Sequence, residues 1–159
     1  MKKVKILRHK NNRFLFIDDD LWMWDTPREQ KMQKRLSEQA FGDVLVAGYG
    51  FGIVTKFLLE NPNVVSVVTI EKYSAVLNAV KKFDRLEGKI IVCDFYDLPD
   101  NKKFDCIVGD IWQDIDTEFL GEYVRFKKKA KKLLKKDGKI LAWGKDFFEY
   151  LLKKSQKVH

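Results

Sequence analysis

Val44 to Glu71 reads VLVAGYGFGIVTKFLLENPNVVSVVTIE, and this stretch decides the fold. An apolar run, Val44 to Ala47, enters the glycine-rich turn Gly48-Tyr49-Gly50-Phe51-Gly52. A helical stretch follows to about Glu60, and a β-branched run then ends on Glu71. That order is one βαβ unit. Glycines let the backbone turn sharply and approach a ligand closely, and an acidic residue about 20 positions on can accept both hydroxyls of a ribose. Alone, G-x-G-x-G is a weak signal. Between a strand and a helix, with an acid closing the next strand, it points to a nucleoside site.

Before this unit, the apolar runs Val4 to Leu7 and Phe14 to Ile17 flank the turn-forming cluster His9-Lys10-Asn11-Asn12, which predicts a β-hairpin. The acidic and aromatic stretch Asp18 to Asp25 follows, too irregular for a strand assignment. Thr26 as N-cap, Pro27 at the first helical position and Glu29 placed for a capping box start a helix. Met32, Leu36 and Ala40 give that helix one apolar stripe.

Beyond the unit, Tyr73 to Asp84 reads as a helix with Val76, Leu77 and Val80 on one side. Lys89 to Cys93 is a third strand ending on Asp94, and Phe104 to Val108 a fourth ending on Asp110. A long helix is expected from about Asp116 to Lys136, with Phe119, Tyr123, Phe126, Ala130 and Leu133 facing the core. Asp137-Gly138 then turns into a fifth strand, Lys139 to Trp143, and Phe147 to Lys154 forms a last short helix. Near-continuously apolar strands alternating with helices imply a parallel sheet buried on both faces, whose ligand sits at the carboxyl ends of the strands. Gly48, Glu71, Asp94 and Asp110 all fall there. A dinucleotide is the main competing ligand, but it has no need of carboxylates at the next two strand ends.

At 159 residues, with 45% hydrophobic and 34% charged residues, the chain reads as one globular domain with a packed core. Residues 1–25 supply the hairpin and the acidic, aromatic segment; residues 26–159 supply the α/β core. No apolar run approaches a membrane span, and the basic start lacks the apolar stretch of a signal peptide, so a cytoplasmic protein without membrane attachment is expected. Cys93 and Cys106 sit in apolar runs without metal-ligand spacing, so no metal site is expected. The net charge of +8 resides largely in Arg125 to Lys139 and the C-terminal tail. A solvated helix face is one reading of that run; a nucleic-acid surface is the other.

The glycine loop, Glu71, Asp94 and Asp110 at successive strand ends resemble the class I S-adenosylmethionine-dependent methyltransferase superfamily. Within it the chain looks most like the spermidine synthase-like branch, including small phage-type members. The segments that carry the likeness are the hairpin, Thr26-Pro27-Arg28-Glu29, GYGFG, TIEKY, VCDFYD and GDIWQDI. The resemblance implies a Rossmann-like sandwich with a mostly parallel sheet of about five core strands. It implies S-adenosylmethionine as the cofactor, held by Gly48, Tyr49, Gly50, Phe51, Gly52, Glu71, Lys72, Asp94, Phe95 and Asp110. Glu71 would meet the ribose, Asp94 and Phe95 the adenine, and Asp110 the reacting atom as the catalytic residue.

The chain also departs from that branch. Phe51 stands where spermidine synthases carry an Asp for the aminopropyl amine. Asp110-Ile111-Trp112-Gln113-Asp114 replaces the Asp-Ser-x-Asp-Pro run, and the usual terminal antiparallel strand pair is missing. The leading expectation is methyl transfer to an amine or other small polar acceptor, with Trp112, Asp114, Trp24 and Asp25 forming its pocket, since carboxylates and aromatic rings suit a cationic amine. The alternatives are aminopropyl transfer from the decarboxylated cofactor, cleavage of S-adenosylmethionine, and nucleic-acid binding through Arg125 to Lys139. The fifth strand is expected near a sheet edge, covered by Phe147, Phe148, Tyr150 and Leu151 or joined there in a homo-oligomer.

Overall fold

The computed structural model describes residues 2–157. Eight strands and five α-helices form two sheets: β1 (Val4–His9), β2 (Asn12–Ile17), β3 (Asp20–Trp24), α1 (Pro27–Glu38), β4 (Gly42–Ala47), α2 (Ile53–Glu60), β5 (Val64–Glu71), α3 (Ser74–Lys81), β6 (Lys89–Val92), β7 (Phe104–Gly109), α4 (Leu120–Leu133), β8 (Leu134–Ala142) and α5 (Lys145–Lys157). The main sheet is parallel throughout, in the order β6-β5-β4-β7-β8. It holds the five expected core strands.

Its two faces are covered by different helices. Val44, Val46, Val67, Cys106, Val108 and Leu141 pack on Val54 and Leu58 of α2 and on Ala40. On the opposite face Leu45, Ala47, Ile70, Ile107 and Ala142 meet Tyr123, Phe126, Ala130 and Leu133 of α4 and Phe148 of α5. Strand side chains point alternately to the two faces, so a strand covered on both reads as continuously apolar. Burying each such side chain contributes roughly 1.5–3 kcal/mol.

The N-terminal hairpin gains a third strand. Asp18 and Asp19 turn with positive φ, and β3 pairs antiparallel with β2 from Ile17↔Asp20 to Phe14↔Trp24. The three-aspartate run and a β-bulge at Leu15/Phe16 hide the alternation that would have marked it. This small sheet does not stand alone. Leu15 and Ile17 pack on Tyr49 and Phe51 of the glycine loop and on Val76, Leu77 and Val80 of α3.

Two further boundaries differ from the sequence reading. The long helix begins as a 3₁₀ turn, Thr117–Phe119, and stops at Leu133. Asp137-Gly138 lies inside β8 as an irregularity, between the pairs Phe104↔Leu134 and Cys106↔Lys139, with Asp137 at φ 66°. Asp and Gly both tolerate that left-handed conformation, which suits a bulge as well as a turn. At the C-terminus Phe148 stacks on Tyr123 at 4.9 Å within the core, Lys145 Nζ donates to the Ile140 carbonyl of β8, and Tyr150 stays exposed.

Candidate functional site

Two cavities lie at the carboxyl ends of the main strands, and Asp110 borders both. The larger, about 270 Å³, is lined by Gly48, Glu71, Lys72, Asp94, Phe95 and Asp110. Leu15, Ile17, Trp22 and Met23 of the small sheet also line it, so this sheet serves as a wall of the site. The smaller, about 20 Å³, is lined among others by Trp24, Glu29, Gln33, Gly50 and Trp143.

The glycine loop is shaped by what it touches. Gly48 has φ 95°, and a Cβ there would meet the Asp110 carbonyl oxygen at 2.5 Å, so only glycine lets β4 and β7 end this close together. Gly48 alone of the three loop glycines lines the larger cavity. A Cβ on Gly50 would strike Met23, and Gly52 lies against the Tyr49 ring. The side chains of Tyr49 and Phe51 are buried in the cluster under the small sheet, with the Arg13 guanidinium 5.0 Å from the Phe51 ring.

Glu71 ends β5 and grips the loop. Its Oε1 accepts from Tyr49 N at 3.1 Å and Gly50 N at 3.4 Å, and its Oε2 from Tyr73 N at 3.0 Å. Burial raises its pKa, while those N–H groups pull the other way. A carboxylate has roughly four acceptor positions, so about one is left for a ligand hydroxyl. Asp94 caps the next turn by accepting from Tyr96 N at 2.9 Å, and its other oxygen lies 3.7 Å from Lys72 Nζ. Phe95 is buried, facing Phe126 at 5.4 Å.

Asp110 follows β7 directly. Gln33 Nε2 donates to Asp110 Oδ2 at 3.2 Å and to Glu29 Oε1 at 2.9 Å, so one amide spans two carboxyls. Burial first, then the charge of Glu29, pushes the Asp110 pKa up to about 7. Burial likewise raises that of Glu29. Such a carboxyl can take up or release a proton near neutrality.

The expected acceptor pocket is largely dispersed. Trp112 is 2% exposed, packed among Tyr123, Phe126 and Phe148, and donates from Nε1 to the Trp143 carbonyl at 3.0 Å. It is a core residue because α4 and α5 close over it. Asp114 is exposed, outside both cavities, and accepts from the Ile115 N–H. Asp25 is buried but committed: it accepts from Arg13 N at 2.5 Å and Arg13 Nε at 2.7 Å, while Arg13 Nη1 reaches Asp84 at 2.5 Å. Only Trp24 lines a cavity, the smaller one, set edge-on to Trp143.

Glu29 and Gln33 were not expected here. Along α1 the fully buried positions are Glu29, Gln33 and Ser37, whereas Met32 and Leu36 are half-buried. The signal was a polar i, i+4, i+8 row on the helix face next to the apolar stripe. Arg125 and Tyr96 were missed as well. Both line the larger cavity, with the guanidinium 3.7 Å from the ring centroid.

Solved proteins share this fold. Spermidine synthase from Thermotoga maritima superposes with a TM-score of 0.67 at 18% identity, over 89% of this chain and 53% of that one. An S-adenosylmethionine-dependent methyltransferase from Clostridium acetobutylicum superposes with a TM-score of 0.50 at 19% identity, over 72% of this chain and 49% of that one. The fold is the Rossmann-like α/β sandwich of these structures. In sequence, the chain is 29% identical over 132 residues to Ribosomal RNA small subunit methyltransferase A of Flavobacterium johnsoniae, covering 80% of this chain and 47% of that protein. The chain thus spans about half the length of the curated relative it matches. No family model matches the sequence. Among the described residues, no helix is long and apolar enough to cross a membrane.

Proposed function

We propose that the chain binds S-adenosylmethionine in the larger cavity and transfers its methyl group to a nitrogen or oxygen acceptor presented to Asp110. The observation that carries this reading is the position of Asp110, a carboxyl with a pKa near neutrality that borders both cavities. The residues present fit the cofactor. Glu71 and Asp94 offer acceptors for hydroxyl and amino donors, Phe95 and Ile111 give apolar walls, and the volume lies near the lower end for small-molecule pockets.

Bound there, the cofactor supplies an electrophilic methyl group on a sulfonium. The protein's own task is positioning. Glu71 and Asp94 hold the polar edges, Trp22 and Met23 exclude water, and Asp110 in its ionised form accepts the acceptor's proton while Gln33 fixes its carboxyl. An amine or other small polar group is the acceptor class that Asp110 suits best.

A nucleic-acid acceptor is the second reading, favoured by the ribosomal RNA methyltransferase similarity and by the exposed lysines of α4 and early β8. Lys127 pairs with Glu149, Lys129 with Asp100, and Lys135 with Asp43 and Asp105. Lys128, Lys131, Lys132 and Lys136 are exposed and make no ion pair among the described residues. Aminopropyl transfer is less favoured, because Phe51 is built into the core where that chemistry would use a carboxylate.

Calorimetric titration with S-adenosylmethionine and with its decarboxylated form, followed by product analysis, tests the proposal. Binding of the intact cofactor and a methylated product are expected. Preference for the decarboxylated form would move the reading to aminopropyl transfer, and release of a cleaved cofactor without acceptor would move it to cleavage. Binding of neither overturns it. A salt-dependent affinity for RNA oligonucleotides would select the second acceptor class.

A further inference from the structure

The smaller cavity is built from groups that the folded chain leaves unsatisfied. Gln33, 3% exposed, has no hydrogen-bond partner for Oε1 among the described residues, and Trp143, 7% exposed, has none of good geometry for Nε1, although its indole N–H lies close enough to Glu29 to favour that carboxylate. The Gln33 amide is oriented correctly as it stands, since exchanging its O and N would set an oxygen against two carboxyls. So one buried acceptor and one buried donor border the same space as the carboxyls of Glu29 and Asp110. Leaving either unpaired costs about 1–3 kcal/mol.

An occupant must donate to Gln33 Oε1, accept from Trp143 Nε1 and fit about 20 Å³. A water molecule meets all three conditions, having two donors, two lone pairs and a size that roughly 20 Å³ can hold. We propose that this cavity is a water site, and that its water and the Gln33 amide join Glu29 and Asp110 into a single carboxyl pair that holds one proton.

The four bonds of such a water are accounted for. It accepts from Trp143 Nε1 and from the protonated carboxyl, and donates to Gln33 Oε1 and to the ionised one. Once the pair has given up its proton and both carboxyls are ionised, a proton taken up by Asp110 can move on: Asp110 gives its proton to the water, which gives one of its own to Glu29. Charges remain balanced, and the negative charge returns to Asp110. Glu29 in this arrangement is a positioning and relay residue for Asp110. As a proton route this rests on the methyl-transfer reading; as a carboxyl pair it stands without it.

The charged groups around the pair are few. Glu71 acts on Asp110, whereas Asp114 and Arg28 act on Glu29, and only Arg28 among them is positive. Burial with like charges favours sharing one proton over losing both.

Carboxyl ¹³C NMR titration of the ligand-free protein tests the pair. In the unaltered protein one side-chain carboxyl should titrate near neutrality. In Glu29→Gln the Asp110 midpoint should fall by about one pH unit or more, and in Asp110→Asn the Glu29 midpoint should fall comparably, because the coupling is reciprocal. Midpoints that stay put in either variant overturn the pair. A crystal structure of the unaltered protein tests the water independently of any variant. Density within hydrogen-bond reach of both Gln33 Oε1 and Trp143 Nε1 is expected, and its absence overturns the site. Neither readout uses the cofactor, so failure of the proposed transferase activity would leave both results interpretable.

Discussion

Strand β7 carries an aspartate at each end, and the two lead opposite lives. At its start Asp105 is half-buried, accepts from Asp43 N at 2.7 Å, and shares Lys135 with Asp43. The Asp43 amide and then Lys135 hold its carboxyl below the usual range. Just beyond its other end, Asp110 pairs with no cation among the described residues and meets Gln33 instead, with burial and Glu29 pushing it up to about 7. The same side chain is thus held ionised at one end of the strand and pushed towards protonation at the other. What differs is the company: a lysine and a backbone amide at one end, against a second carboxyl beside a cavity at the other.

The largest effect expected from breaking this contrast is at Asp110. Asp110→Asn should lower turnover by roughly 10²–10⁴, while calorimetry finds cofactor affinity nearly unchanged. In the unaltered enzyme turnover should rise with pH through about 7, as the carboxylate forms, and the residual rate of the variant should lack that step. Stability should move the other way. A carboxyl whose folded pKa is raised favours the folded state below about pH 4 and progressively less up to about pH 7, so Asp110→Asn should gain on the order of 4 kcal/mol in denaturant unfolding at pH 8 relative to pH 4. Equal turnover in both proteins would make Asp110 a structural residue like its counterpart.

A smaller effect is expected at Glu71. There burial is offset by three backbone N–H groups, so the residue sits between the two extremes. Glu71→Gln should weaken cofactor binding about 10- to 100-fold, as loss of a charge-assisted hydrogen bond and of the loop's anchor implies. An unchanged Kd would confine Glu71 to holding the loop.

The smallest is at Asp105. Asp105→Asn should cause a slight loss of stability at neutral pH with turnover intact. Because its folded pKa is depressed, the contribution is present above the ordinary carboxylate range and vanishes as pH falls through it. Thermal unfolding of the two proteins should therefore converge in acid. A gap that persists there would point to packing instead of charge.

The strand ends were legible in the sequence because a parallel sheet buried on both faces writes its strands as unbroken apolar runs, and the acids that close them stand out. Glu71, Asp94 and Asp110 do line one cavity. What could not be read depended on elements distant in sequence. Trp112 looks like a pocket aromatic among its acidic neighbours, and only the packing of Phe126 and Phe148 makes it core. Glu29 looks like a capping-box residue. Thr26 does cap the helix, accepting from Glu29 N at 3.4 Å, but the Glu29 side chain turns inward to Gln33. Arg125 was hidden in a lysine run whose charge drew notice to the surface, although its guanidinium lies on Tyr96 at the pocket.

The wall supplied by β1, β2 and β3 also fixes when the pocket can come into being. Those strands are synthesised before the elements they pack on, yet a small isolated sheet is marginal in water, and the surface they bury is made of Tyr49, Phe51, Val76, Leu77 and Val80. Arg13, their ionic anchor, waits longer still, for Asp84. As the chain leaves the ribosome, β1, β2 and β3 therefore have no lasting partner until α3 and Asp84 have followed them. The larger cavity closes late, from a wall made before the rest of its lining.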